Sequence, residues 1–481
     1  VKVHQVVRSP TVWLAGATLL RLIVAALLPV TPDEAYYWVW SRGLQGGYLD
    51  HPPMVALWIR AGTGLFGDNA FGIRVLAPLA TAAGTVMIVA AARDLFRLAQ
   101  PDGRENARAI MAGVLLNATL ALGVGSVTMT PDTPLLFFVA LFLLALARVS
   151  SGGSSMWWLA VGAAVGLGFD SKYTMALPAA GLAVWLVLTK EGRRRLARPW
   201  PWLAAVTGAV LTAPVFWWNA THGWASFVRQ GGRAADWRPA RAAQFLGELL
   251  GGQVGLATPA IFALFVVGVW NASRRRDAAD RLLLCLVGVP LAVFAQHALG
   301  DRVQANWPVI IYPVFAVLAA RVDVRWRFVA AFTGVALSVL VILQALTSVF
   351  PLGRHLDVAL RQGGGWPAFV QDVDARTAGA AFVAADDYGL ASELALRLPG
   401  RVVAGADERW TYFGLHPVAC AGDGYLLHNA RRDPPGNAGW MRGAETVVTV
   451  IRARRGVEAE RYVLYRLSCS QEDFYRLPPA R

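Results

Sequence analysis

Charge is scarce in this chain. Only 16% of its 481 residues are Asp, Glu, Lys or Arg, against 56% hydrophobic, and that balance excludes an ordinary soluble globular domain. Nucleotide-driven chemistry lacks its motifs, since there is no P-loop, no GxSxG and no zinc-protease helix. No internal repeat, low-complexity segment or long soluble linker occurs beyond the Gly-rich 361–367. Cysteine is sparse too. Of the three, Cys285 lies in an apolar run, and Cys420 and Cys469 lie near the C-terminus; an oxidising compartment permits a disulfide between the last two without their spacing showing one.

What is present is a series of long apolar runs of the length that crosses a ~30 Å hydrocarbon core as helix. About eleven are read: 11–30, 71–96, 108–128, 133–149, 156–169, 173–189, 200–218, 245–270, 282–299, 307–320 and 326–350. The first carries Arg21 and no small-residue cleavage site follows it, so it is expected to be a retained helix. The net charge of +14 invites a nucleic-acid reading, but the basic clusters 190–198, 273–281 and 321–327 punctuate alternate loops, as cytoplasmic loops do. That alternation puts the N-terminus inside and 31–70, 129–132, 170–172, 219–243, 300–306 and everything after 350 outside. Loop 219–243 breaks the rule with Arg229, Arg233, Arg238 and Arg241. After 350 the long runs give way to short alternating strands at 379–386, 401–405, 446–452 and 461–469 and an amphipathic helix at 390–398. The expected architecture is an all-α polytopic membrane domain over 1–350 and a small outer α/β domain over 351–481.

The outer segments hold most of the isolated ionisable groups. Thr31, Pro32 and Glu34 form a T-x-x-E capping box with proline at the first helical position; this accounts for Glu34 better than for Asp33, which sends a free carboxylate out of the helix start. The aromatic residues of "AYYWVWSRGL" suit a short helix in the headgroup layer. "YLDHPPM" sets Tyr48, Asp50 and His51 beside a rigid double-proline turn, where Asp50 and His51 read as metal ligands, a phosphate clamp or plain surface polarity. Asp132 in "TMTPDTP" either caps the next helix or faces a site. Lys172 in "FDSKYT" snorkels or lines a cavity. His222, Arg229 and Arg233 occupy the rule-breaking loop, and Asn306 and Trp307 the last outer turn before 307–320. Carboxylates beside several cations at headgroup level suit a reaction in which a phosphate leaves: the carboxylate takes a proton from an attacking hydroxyl, and the cations stabilise the charge on the leaving group.

The ordered segments "DEAYYWVWS", "YLDHPPM", "TPDTPLLF", "GLGFDSKYT", "WNATHGWASFVRQGGR" and "ANWPV" resemble the polytopic lipid-linked glycosyltransferases of GT-C architecture. They are closest to the bacterial branch similar to protein O-mannosyltransferases and to the aminoarabinose and galacturonic acid transferases of lipid A and core. The resemblance covers roughly 10–320, with weaker support from "VAADDYGLASELAL". It implies inverting transfer, without nucleotide, from a polyprenyl-phosphate sugar to a glycolipid acceptor on the periplasmic face of the bacterial inner membrane. In that frame Asp33 matches the general base with Glu34 beside it, and Lys172, Arg229, Arg233 and His51 hold the donor phosphate. Asp132, His222, Asn306, Trp307 and Tyr48 are expected to line the substrate site. Asp50 and His51 stand where aminoarabinose transferases read Glu-Lys, which shifts phosphate binding toward Lys172 and Arg229, since histidine is only partly charged near neutrality. Some relatives bind a divalent ion (Mg, Mn, Ca or Zn) near that phosphate, and Asp50 and His51 would then be its ligands. The expected partners are the lipid donor, the glycolipid acceptor and membrane lipids, with no nucleic acid and a monomeric state. A protein acceptor is the alternative within the enzyme class. A lipid or solute transporter is the alternative outside it, disfavoured because the charges gather at one face and no inverted repeat is visible.

Overall fold

The computed structural model describes residues 9–99, 102–232, 238–418, 422–432, 444–467 and 474–480. Cys420 and Cys469 lie outside the described residues. The chain divides into two compact units, one formed by Val1–Leu22, Asp50–Val55 and Leu76–Val339, the other by Ile23–Leu49, Ala56–Val75 and Leu340–Arg481.

The first unit is helical and polytopic. Across the described chain, six helices are long and apolar enough to cross a membrane, or eight if two bent pairs each count as one span. The eleven apolar runs are all helical, but they are not eleven straight spans. The run 245–270 is two helices, Ala242–Ala257 and Pro259–Arg275, bent by 107°. The break falls at Thr258, whose φ of 71° leaves helical space, ahead of a proline that cannot donate back into the preceding turn. The run 108–128 likewise breaks at Thr119, whose side chain caps the next short helix by accepting from the Leu122 N–H. Helices Trp157–Phe169 and Pro199–Thr221 approach so closely that a Cβ on Gly162 would sit 2.1 Å from the Ala204 carbonyl oxygen. Small residues at such a crossing let backbones touch, the usual device where lipid supplies no hydrophobic drive. These two helices end at the turns that carry Lys172 and Arg229.

The second unit combines helices Pro32–Arg42 and Ala70–Arg74 and most of Met54–Phe66 with the C-terminal α/β fold. The sheet has six strands: β1 (Phe382–Ala385), β2 (Val403–Gly405), β3 (Gly424–Asn429), β4 (Glu445–Arg454), β5 (Val457–Leu467) and β6 (Tyr475–Arg476). Their order is β4-β5-β3-β1-β2-β6. β1 runs parallel to both β2 and β3, while the β3–β5, β4–β5 and β2–β6 pairs are antiparallel. Helix Tyr388–Arg397 follows β1 and packs on helix Pro32–Arg42.

One sequence expectation is overturned in this unit. The aromatic helix Pro32–Arg42 does not offer its rings to headgroups, because Trp38 and Trp40 are fully buried and Tyr36 nearly so. Their partners are protein: Tyr36 meets Tyr388, Trp410 and Phe413, and Trp40 stacks on Tyr48 at 4.2 Å. An all-round apolar surface on a short helix means burial on every side, and here the C-terminal segment supplies the cover.

Candidate functional site

In the helical unit, the turns that carry Asp50, Asp132, Lys172 and Asn306 and the helix that carries Arg229 converge through charge-assisted contacts. Asp132 opens helix Asp132–Ser150, and its two oxygens are held separately. Lys172 Nζ donates to Oδ1 at 2.7 Å and Asn306 Nδ2 donates to Oδ2 at 2.7 Å. Lys172 is only 5% exposed, so its ammonium is a buried cation rather than a snorkelling one. The double-proline turn is fastened to the same region: Met54 N–H donates to the Asp170 carbonyl at 3.0 Å, two residues before Lys172. Arg229, on helix Ala225–Gly232, donates through Nε to Asp50 Oδ1 at 2.7 Å. Its neighbour Gln230 donates to the Asp50 carbonyl at 2.7 Å. Tyr173 and Ser226 hydroxyls meet at 2.7 Å, which ties the Lys172 turn to the Arg229 helix. Five loops far apart in sequence thus form one network with two cations, each held by one carboxylate.

Beside this network lies a cavity of about 230 Å³, lined by Thr130, Asp132 and Asn306 together with Ile88, Leu122 and Phe137. Polar groups and an apolar wall in one cavity suit an amphiphile with a charged head and a hydrocarbon tail.

In the other unit, Asp33 stands at the start of helix Pro32–Arg42, and Tyr388 O–H donates to its Oδ1 at 3.1 Å. Burial first, and then the Asp33 carboxylate, push the Tyr388 phenol up from its ordinary range, which keeps it a neutral donor at physiological pH. Asp33 and Tyr388 both line a polar cavity of about 260 Å³.

The other expected site residues have these surroundings. Glu34 is fully buried; Arg74 takes Oε1 at 2.6 Å and Oε2 at 2.5 Å, and Thr31 N–H and Oγ1 both reach Oε2 at 3.0 Å. With both oxygens held, Glu34 closes the capping box and is not a base beside Asp33. Tyr48 is also fully buried. Its hydroxyl donates to the carbonyls of Trp40 and Gly43, so it closes a turn and does not line a substrate site. His222 caps the C-terminal end of helix Pro199–Thr221, stacked on Trp218 at 4.2 Å with Nδ1 2.8 Å from the Trp218 carbonyl oxygen. Trp307 opens the short helix Trp307–Ile311 with its ring beside His297. His51 sits half-buried in the double-proline turn. Arg233 lies outside the described residues.

Among the described residues no group of three His, Cys, Asp or Glu side chains could hold an ion, and Asp50 Oδ1 accepts from Arg229. Asp50 and His51 alone would have to share an ion with substrate oxygens and water.

Sequence reasoning missed Arg74, Asp170 and Tyr388. Arg74 had a signal: an arginine within an apolar run is costly unless partnered. Asp170, 7% exposed with Oδ1 lacking a hydrogen-bond partner, had only its place beside Lys172. Tyr388 had none, because its partner is 355 residues away.

The structure thus offers a helical unit whose loops gather carboxylates and cations, and a unit built on a small α/β fold. Residues 50–218 match the model of the dolichyl-phosphate-mannose-protein mannosyltransferase family. It is 32% identical over 318 residues to the lipid A galacturonosyltransferase RgtD of Rhizobium johnstonii, a match covering 65% of each chain. It is 26% identical over 321 residues to the undecaprenyl phosphate-alpha-4-amino-4-deoxy-L-arabinose arabinosyl transferase of Erwinia tasmaniensis, covering 60% of this chain and 54% of that one. The matches therefore span just under two thirds and about half of these relatives' own lengths. The crystal structure of ArnT from Cupriavidus metallidurans bound to undecaprenyl phosphate shares the fold, with a TM-score of 0.62 and 16% identity over 95% of this chain and 97% of that one.

Proposed function

We propose that the protein transfers a sugar, with inversion, from a polyprenyl-phosphate donor to an envelope glycolipid such as lipid A or the lipopolysaccharide core, on the periplasmic face of the bacterial inner membrane. The observation that carries this reading is the network of Lys172, Asp132, Asn306, Asp50 and Arg229 beside a cavity that is polar and apolar at once. The relatives named above are transferases of sugars, one on lipid A and one from undecaprenyl phosphate, which supports both halves of the reaction.

Asp33 takes the proton of the acceptor hydroxyl as its oxygen attacks the anomeric carbon. The bond from that carbon to the phosphate oxygen breaks, and polyprenyl phosphate leaves with the electron pair. Lys172 and Arg229 exchange part of their contact with Asp132 and Asp50 for the phosphate oxygens. Charge-assisted bonds to a leaving phosphate strengthen as its charge grows, so they lower the barrier more than they tighten the ground state. Asn306 holds Asp132 in place during that exchange. The apolar wall of the cavity takes isoprene units of the donor. The chain acts as a monomer. No step is routed through a metal ion, and transfer is expected to persist within about twofold after treatment with EDTA; loss of activity restored by one divalent ion would refute this.

The test is a mass comparison of lipid A, core and other envelope lipids from cells with and without the protein. Loss of one sugar mass from a lipid in the deletion supports the proposal and names the sugar class. The family match over 50–218 favours polypeptide acceptors as the second reading, and unchanged lipids with a sugar missing from secreted proteins would select it. In purified protein, Lys172→Met is expected to lower kcat about 100-fold with a smaller change in KM, the pattern of an interaction made mainly in the transition state. An effect on KM alone would return Lys172 to a binding role.

A further inference from the structure

The polar cavity of the second unit holds a buried cation that forms no salt bridge among the described residues. Arg452, on β4, is 2% exposed and lines the cavity. Its Nη1 donates to the Gly364 carbonyl at 2.5 Å and its Nη2 to the Arg361 carbonyl at 2.7 Å, its guanidinium lies 4.2 Å over the Trp366 ring, and its Nε has no partner. Among the described residues it forms no salt bridge. Glu460, opposite Arg452 in the β4–β5 register, is bonded to Arg354 and Arg431, and Glu393 is bonded to Arg397 at 2.7 Å, with burial pushing its carboxyl up to about 7. A buried guanidinium whose neighbouring carboxylates are bonded to other arginines is unfavourable, and the cavity beside it can take an anion.

The rest of the lining fits that anion and says what carries it. Arg361 lines the same cavity and forms no salt bridge among the described residues. The acids there are already engaged: Asp387 by Arg432 at 2.6 Å, Glu460 by Arg354 at 2.7 Å and Arg431 at 2.8 Å, and Asp33 by Tyr388. Of the three arginines and three acids in the lining, Arg361 and Arg452 are the guanidiniums that form no salt bridge among the described residues. Trp366 and Tyr462 add ring surface, and Gln362 and Asn429 add amides. Rings for the apolar face of a sugar, amides for its hydroxyls and paired guanidiniums for a doubly charged oxyanion make one set.

We propose that this cavity is a binding site for a phosphate-bearing sugar, read by Arg361 and Arg452, with the hydroxyl to be glycosylated turned toward Asp33. The assignment rests on the transfer reading for the last clause only; the binding site stands on the cavity itself. It makes the phosphorylated headgroup of the acceptor a specificity element.

The experiment uses the full chain in nanodiscs, with glucosamine 1-phosphate and glucosamine as probes. The phosphate form is expected to bind at least tenfold more tightly, with the difference shrinking as salt rises. Arg361→Gln is expected to remove most of that preference and Arg361→Lys to keep part of it, while glucosamine binding stays unchanged in both. Arg361 is half-buried and its side chain makes no hydrogen bond or salt bridge among the described residues, so these variants are expected to fold; Arg452, which fastens two carbonyls, is not the residue to change. Competition by phosphorylated lipid A but not by dephosphorylated lipid A assigns the headgroup of a membrane glycolipid. Binding without such competition assigns a soluble sugar phosphate. Equal affinity for the two probes, or a phosphate preference untouched by Arg361→Gln, overturns the site. Because binding is read without turnover, a failed transfer assay with intact phosphate preference would count against the proposed reaction and leave the site standing.

Discussion

Asp33→Asn is expected to lower sugar transfer by about 10²–10⁴-fold, the range in which a positioned general base contributes. The change is nearly isosteric, and the Asn carbonyl oxygen can still accept from the Tyr388 hydroxyl that now reaches Asp33 Oδ1 at 3.1 Å. Helix Pro32–Arg42 keeps its cap, because Thr31 and Glu34 supply it, so the fold is expected to persist. Donor affinity is expected to stay within about twofold, since the phosphate is assigned to Lys172 and Arg229. Tyr388→Phe, which removes a donor from the base without removing the base, is expected to cost less than Asp33→Asn and to shift the acidic limb of the pH–rate profile upward, because a hydrogen bond to the carboxylate favours its charged form. Transfer within threefold of wild type in Asp33→Asn would remove Asp33 from the mechanism.

The second large effect is on stability. Arg74 is 1% exposed and Glu34 fully buried, and the arginine also donates to the carbonyls of Ala25, Leu28 and Pro29. It thereby ties the end of the first helix to the cap of the next. Arg74→Met is expected to destabilise by about 3–5 kcal/mol, the usual result of stranding one member of a buried pair. Because membrane proteins unfold irreversibly, the readout is the half-life at a fixed elevated temperature in detergent. Glu34→Gln alone leaves Arg74 its three carbonyls and is expected to cost less. Adding Glu34→Gln to Arg74→Met is expected to recover part of the loss, since the stranded charge is gone. An unchanged half-life in Arg74→Met would show that the pair does not hold this unit together.

The contrast between Asp33 and Glu34 shows how far a sequence can go. The capping box was legible, because Thr, Pro and Glu at fixed spacing satisfy backbone donors within a single turn. What the box leaves to Asp33 was legible as well. The second fate of Glu34, a bidentate bond to Arg74, depends on a partner 40 residues away, and nothing local announces it. The aromatic helix failed for the same reason in reverse. Its pattern says that every face is apolar, which either lipid or protein can satisfy, and only the packed C-terminal segment shows that protein does. Tyr48 and His222 were drawn toward a substrate site by residue type; their polar atoms instead meet backbone carbonyls within eight residues along the chain.

The sequence by itself determined the polytopic class, the C-terminal α/β fold with most of its strands, and the family resemblance. Each of these is written in period, run length and short ordered motifs, which are local properties of the chain. The tertiary structure decided which carboxylate holds which cation: Asp132 with Lys172 and Asn306, Asp50 with Arg229, Glu34 with Arg74. It alone showed the bends that break a long apolar run and the cavity where Arg452 is buried without a salt bridge among the described residues. Pairing of buried charges is chosen by distance in space and by the cost of leaving a charge alone in a low dielectric, and neither quantity has an expression along the sequence.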